Sequence, residues 1–92
     1  MERALDVLAD LFRPSPSEKE ANDFLRDFLS PSEILQLAER VLIARLLLKG
    51  LSQREVKQEL GVSISKVSRC ANVLNYGTGA FGRILRSRSK SK

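Results

Sequence analysis

The chain has 92 residues, with sixteen Lys or Arg against eleven Asp or Glu, a net charge of +5. That length suits one small domain whose own core is only marginally sufficient. With no His and one Cys, Ser-His and Cys-His nucleophilic pairs, a disulfide framework and the usual metal-ligand spacings are all excluded.

In chain order, Leu5, Val7, Leu8, Leu11 and Phe12 follow helical spacing, and Pro14 stops that element. Ser15-Pro16-Ser17 reads as a turn, with Ser17 capping a second helix that carries Phe24, Leu25, Phe28 and Leu29. Ser30-Pro31-Ser32-Glu33 restarts the chain, since Pro is favoured in a first helical turn and Glu33 complements the positive helix end. The helix that follows, to about Lys49, holds apolar residues from Ile34 to Leu48 over most of its circumference. It is expected to be buried nearly all round. One short chain supplies too little cover for that, so a homodimer with packed central helices is expected.

Leu51 to Cys70 carries the most information. Ser52 is placed to cap a short helix, with Glu55 three residues on to complete a capping box. Val56 and Leu60 share one face, and Gly61 ends the helix in the left-handed conformation. Val62 opens a turn, and Val67 and Cys70 continue a buried face along the next helix, leaving Ser63, Ser65, Lys66 and Arg69 outward. This is the pattern of a helix-turn-helix, spanning about 52–74, whose second helix enters the DNA major groove. Beyond Asn75-Tyr76-Gly77-Thr78-Gly79, Ala80 to Arg86 reads as a last short helix. The expected organisation is one all-α domain of five to six short helices over 1–86, then a disordered basic tail at 87–92.

Charge follows the same division. Residues 1–48 hold six Lys or Arg against nine Asp or Glu, a net −3; residues 49–92 hold ten against two, a net +8. A basic half built around a helix-turn-helix is the footprint of a double-stranded DNA partner. Neither Met1 to Asp6 nor the run Val41 to Leu48, broken by Arg45, fits a signal peptide or a membrane span. A cytoplasmic location is therefore expected, with no membrane partner.

Two other classes share some of these features. A helical interaction module or antitoxin without its own operator also fits a small basic helical chain. A small helical dimeric enzyme of the chorismate-mutase type needs a cationic clamp, for which Arg26, Arg40 and Arg45 are candidates. That second reading leaves Gly61, the capped short helix and the basic half unexplained, and no enzymatic activity is expected. No cofactor is required and no metal site is expected.

The stretch Leu51 to Gly61, the Ser30-Pro31 start, Glu39-Arg40-Val41 and Val67-Ser68-Arg69 resemble the tryptophan repressor superfamily, in register from about Leu29 to Leu74. Glu33-Ile34, Leu37-Ala38-Glu39-Arg40, Ala44-Arg45 and Leu74-Asn75-Tyr76-Gly77 look closer to its repressor-like branch than to the tryptophan repressor itself. The resemblance implies an intertwined homodimer that places its helix pairs in successive major grooves about 34 Å apart, a docking for which the tryptophan repressor is a standard example. It implies a transcriptional regulator, a repressor acting on a two-fold symmetric operator.

Carried over residue by residue, the resemblance places Gln53, Arg54 and Lys57 at the DNA backbone and groove edge. Ser63, Ile64, Ser65 and Lys66 then start the reading helix, and Ser68 touches a phosphate. Serines cannot make the bidentate base pairings of Arg or Asn, so water and DNA shape are expected to carry part of the specificity.

The resemblance also implies an amino-acid pocket for a corepressor such as L-tryptophan, with Arg40 and Arg69 stacking on the ring and pairing with the carboxylate. Leu29, Ser30 and Ile43 complete it. Two residues depart from the pattern: Cys70 replaces a glycine, and Val73 replaces the serine near the ligand's amino group. A bulkier wall and a missing polar partner argue against tryptophan in the usual pose.

Overall fold

The computed structural model describes residues 1–12 and 17–89. The described residues form six α-helices and no strand. They divide into two compact units, Met1–Ile34 and Leu35–Lys92.

In the first unit, α1 spans Glu2–Ala9 and passes into a 3-10 turn at Asp10–Phe12. The helix expected to run to Phe12 therefore tightens over its last three residues. The proposed turn at Ser15-Pro16 and its stop at Pro14 lie outside the described residues. α2 spans Glu18–Phe28 and starts where Ser17 predicts, because the Ser17 hydroxyl accepts the Glu20 N–H at 3.1 Å. Phe24 and Phe28 stack one turn apart with ring centroids 5.2 Å from each other. No described residue of this unit is buried, and both helices leave apolar side chains such as Leu8, Phe24 and Phe28 in solvent.

α3, Pro31–Leu48, begins with a reciprocal cap. Glu33 N–H donates to Ser30 Oγ at 3.2 Å, and Ser30 N–H donates to Glu33 Oε1 at 2.9 Å. It ends in a Schellman motif: Leu51 N–H reaches Leu46 O and Gly50 N–H reaches Leu47 O, at 3.2 and 3.0 Å. Gly50 sits at φ 105°, a value that side chains avoid, and the reversal returns Leu51 to the core beside Leu46.

The second unit's core is small. Ile43 from α3 meets Val56 on α4 (Gln53–Leu60) and Val67 and Cys70 on α5 (Ile64–Tyr76). Leu46, Leu47, Leu51, Leu60 and Val62 pack around them. The last helix, α6, spans Ala80–Ser89, packs on α5 and buries Leu85. It runs three residues beyond the end expected at Arg86, into the segment read as a disordered tail, while residues 90–92 lie outside the described residues.

The central helix is covered by its own chain along one side only, as the sequence leads one to expect of a single copy. Only Ile43 and Ala44 of α3 are buried, while Leu35 is 71% exposed and Leu37 and Leu42 are also in solvent. The chain by itself covers one stripe of a helix that is apolar over most of its circumference.

Candidate nucleic-acid interface

The junction of α4 and α5 is built from local interactions. Ser52 accepts from Glu55 N–H at 3.1 Å, and Glu55 Oε1 accepts from Ser52 N–H at 2.8 Å, completing a capping box. Gly61, at φ 66° and ψ 35°, stops α4 in the left-handed region and donates its N–H to Lys57 O. Two residues later Ser63 caps α5 by accepting from Lys66 N–H at 3.3 Å. The three-residue connection is short because the Gly61 backbone ends α4 and the Ser63 side chain at once starts α5.

Arg54 and Lys57 stand exposed on α4, and Ser63, Ile64, Ser65 and Lys66 stand exposed across the first turn of α5. Ile64, 45% in solvent, is not a core residue of the chain. Several of the expected contact residues, Gln53, Lys66 and Ser68 among them, are engaged within the protein. Ser68 donates its hydroxyl to Gln53 Oε1 at 2.8 Å, and Lys66 Nζ donates to Glu39 Oε1 at 2.9 Å. A phosphate contact through the Ser68 O–H requires giving up the bond to Gln53.

Beside this surface α3, α5 and α6 bound an open, mainly apolar cavity of about 730 Å³. Of the residues expected around a ligand, Arg40, Ile43, Arg69, Cys70 and Val73 line it. Leu29 and Ser30 do not; both belong to the first unit, and Ser30 is engaged in capping α3. Gln36, Leu37, Glu39 and Val41 of α3 and Phe81 of α6 also line the cavity, none of them expected there from the sequence. Leu37 and Val41 fall three and four residues from Arg40 and Leu37 respectively, so extending the Arg40 face along the helix finds them. Phe81 carries no such signal, because only the packing of α6 brings it in.

Cys70 is buried at 7% exposure, with Sγ 4.0 Å from Arg40 O. Burial pushes its thiol above the ordinary value, the Arg40 and Arg69 guanidiniums oppose that rise, and Glu39 adds to it. The group is a neutral thiol that serves as a wall of the cavity. Arg45, which a mutase-type clamp needs, does not line the cavity. Among the described residues no three His, Cys, Asp or Glu gather to hold a metal. No described helix is long and apolar enough to cross a membrane.

A family model described as Trp repressor protein matches residues 3–89. The chain belongs to the Trp repressor family. This is a family of regulators and not an enzyme family. A Trp operon repressor homolog of Vibrio vulnificus (strain YJ016) is 41% identical over 68 residues, which is 73% of this chain and 67% of the relative. YerC of Bacillus subtilis (strain 168) is 32% identical over 79 residues, 86% of this chain and 76% of that protein. The crystal structure of a TrpR-like protein from Eubacterium eligens superposes with a TM-score of 0.81 at 26% identity, covering 95% of this chain and 90% of that one. The all-α family architecture thus extends across both units of the chain.

Proposed function

We propose that this protein is a sequence-specific DNA-binding transcriptional regulator, a repressor that grips a two-fold symmetric operator as a homodimer. The observation that carries the reading is the capped pair α4 and α5, with Arg54, Lys57 and Lys66 exposed around a turn set by Gly61. That pair lies in the half of the chain with net charge +8, ten Lys or Arg against two Asp or Glu over residues 49–92. Phosphate contacts from α4 supply affinity and salt dependence, and the first turn of α5 supplies register and base preference. Occupying the operator then blocks transcription.

The exposed Leu35, Leu37 and Leu42 of α3, with the uncovered apolar faces of α1 and α2, support a second copy of this chain as the dimer partner. The Arg40 and Arg69 cavity supports a small corepressor, with L-tryptophan as the first candidate on the strength of the relatives' names. Such a ligand gates DNA binding only by favouring the DNA-competent arrangement of α5 over others. A cytoplasmic regulator of this kind needs no metal.

The test is a DNA titration over a range of salt, with and without L-tryptophan, on protein whose oligomeric state is measured by sedimentation. Salt-sensitive binding by a dimer is expected. Tightening by L-tryptophan identifies the corepressor, and indifference to it leaves the cavity to another ligand. A protein that stays off DNA at low salt overturns the proposal in favour of a helical interaction module.

A further inference from the structure

Glu39 and Lys66 are 27 residues apart in sequence, yet the Lys66 ammonium donates to Glu39 Oε1 at 2.9 Å. Lys66 belongs to the first turn of α5 and Glu39 to α3, so the pair ties the proposed reading turn to the central helix. Both side chains line the cavity, and Glu39 is the one carboxylate among the described residues that does. The side chains are 57% and 32% exposed, so the pair lies within reach of solvent and of a docking polyanion.

A carboxylate and a DNA phosphate seek the same donors. Each offers anionic oxygens to the ammonium, and each is displaced by the other at a cost set by exposure and salt. We propose that Glu39 acts as an internal phosphate mimic: it holds Lys66 in the free protein, and DNA must displace it to recruit that lysine. This inference rests on the reading of α5 as the DNA-facing helix. The pair opposes every encounter with DNA, whatever its sequence, because the lysine must first be released from Glu39.

An exposed ion pair of this kind is worth little, so the expected effect is modest: Glu39→Gln tightens binding to a mixed-sequence duplex by about two- to five-fold at low salt. The salt slope steepens by up to about one, because a lysine freed of its internal partner brings its full positive charge into the groove and displaces a counterion there. The experiment is a double-mutant cycle of wild type, Glu39→Gln, Lys66→Gln and the double variant, read by fluorescence anisotropy on that duplex. The gain from Glu39→Gln should vanish in the Lys66→Gln background. No gain, or an equal gain in both backgrounds, overturns the proposal, the second result marking simple repulsion between Glu39 and DNA. Wild-type protein with no salt-dependent affinity fails the underlying reading instead, and Lys66→Gln alone separates the cases by weakening binding only where that reading holds.

Discussion

Ser68 and Gln53 join the two helices of the candidate interface: the Ser68 hydroxyl donates to Gln53 Oε1 at 2.8 Å across a separation of 15 residues. Gln53 is the first residue of α4, and Ser68 lies past the first turn of α5, half-buried. The bond therefore links the two helices outside the buried contacts of Val56 and Val67. Gln53→Ala and Ser68→Ala should each cost about 0.5–1.5 kcal/mol of stability. In urea denaturation the double variant should cost less than the sum of the singles, and strict additivity would show the bond contributes nothing.

Lys57 and Lys66 should behave differently on DNA. Lys57→Ala is expected to weaken binding to all sequences and to flatten the salt slope by about one. Lys66→Ala should reorder the sequences preferred in a selection from a random duplex library. Equal losses on specific and nonspecific DNA from both variants would remove the division between backbone and base-reading roles.

The cavity walls make a third case. Val73→Ser combined with Cys70→Gly restores the small residue and the hydroxyl that the family pattern carries at these positions. The double variant should bind L-tryptophan more tightly than wild type by about 1 kcal/mol, one hydrogen bond's worth, in titration calorimetry. A glycine inside α5 also costs helix stability, about 1 kcal/mol, so melting is followed in parallel. No change in tryptophan affinity in a folded double variant would count against a tryptophan-like pose between Arg40 and Arg69.

Ile43 is the centre of the second unit's core, 1% exposed between Val56, Val67 and Cys70. Ile43→Ala should cost about 2–5 kcal/mol, a large part of the stability of so small a core. A loss under about 1 kcal/mol by thermal or urea unfolding would mean that this cluster does not hold α3, α4 and α5 together.

Helix starts and stops were legible in the sequence because they are decided within a few residues. Ser17 and Ser52 each cap the helix that follows, and Gly61 takes the left-handed value that ends α4, whereas Ser63, read as an outward residue of the next helix, proves to be its cap. Capping is a bond between residues three apart, so the pattern Ser-x-x-Glu carries its own geometry. Ser30 and Glu33 follow the same rule in the structure, although the resemblance assigns Ser30 to a ligand pocket and not to a cap. The division of charge at about residue 48 was equally plain, as it needs no structure at all.

Tertiary structure alone decided what α3 faces and what surrounds Arg40 and Arg69. Periodicity identified α3 as apolar over most of its circumference, but not which side its own chain covers; packing buries Ile43 and Ala44 and leaves Leu35 in solvent. The cavity draws on α3, α5 and α6, and brings in Phe81, which no spacing in the sequence ties to Arg40 or Arg69. The Glu39–Lys66 pair spans 27 residues for the same reason. Caps and turns are short-range bonds written into neighbouring residues, whereas cavities and long-range ion pairs exist only once helices have docked and brought distant side chains together.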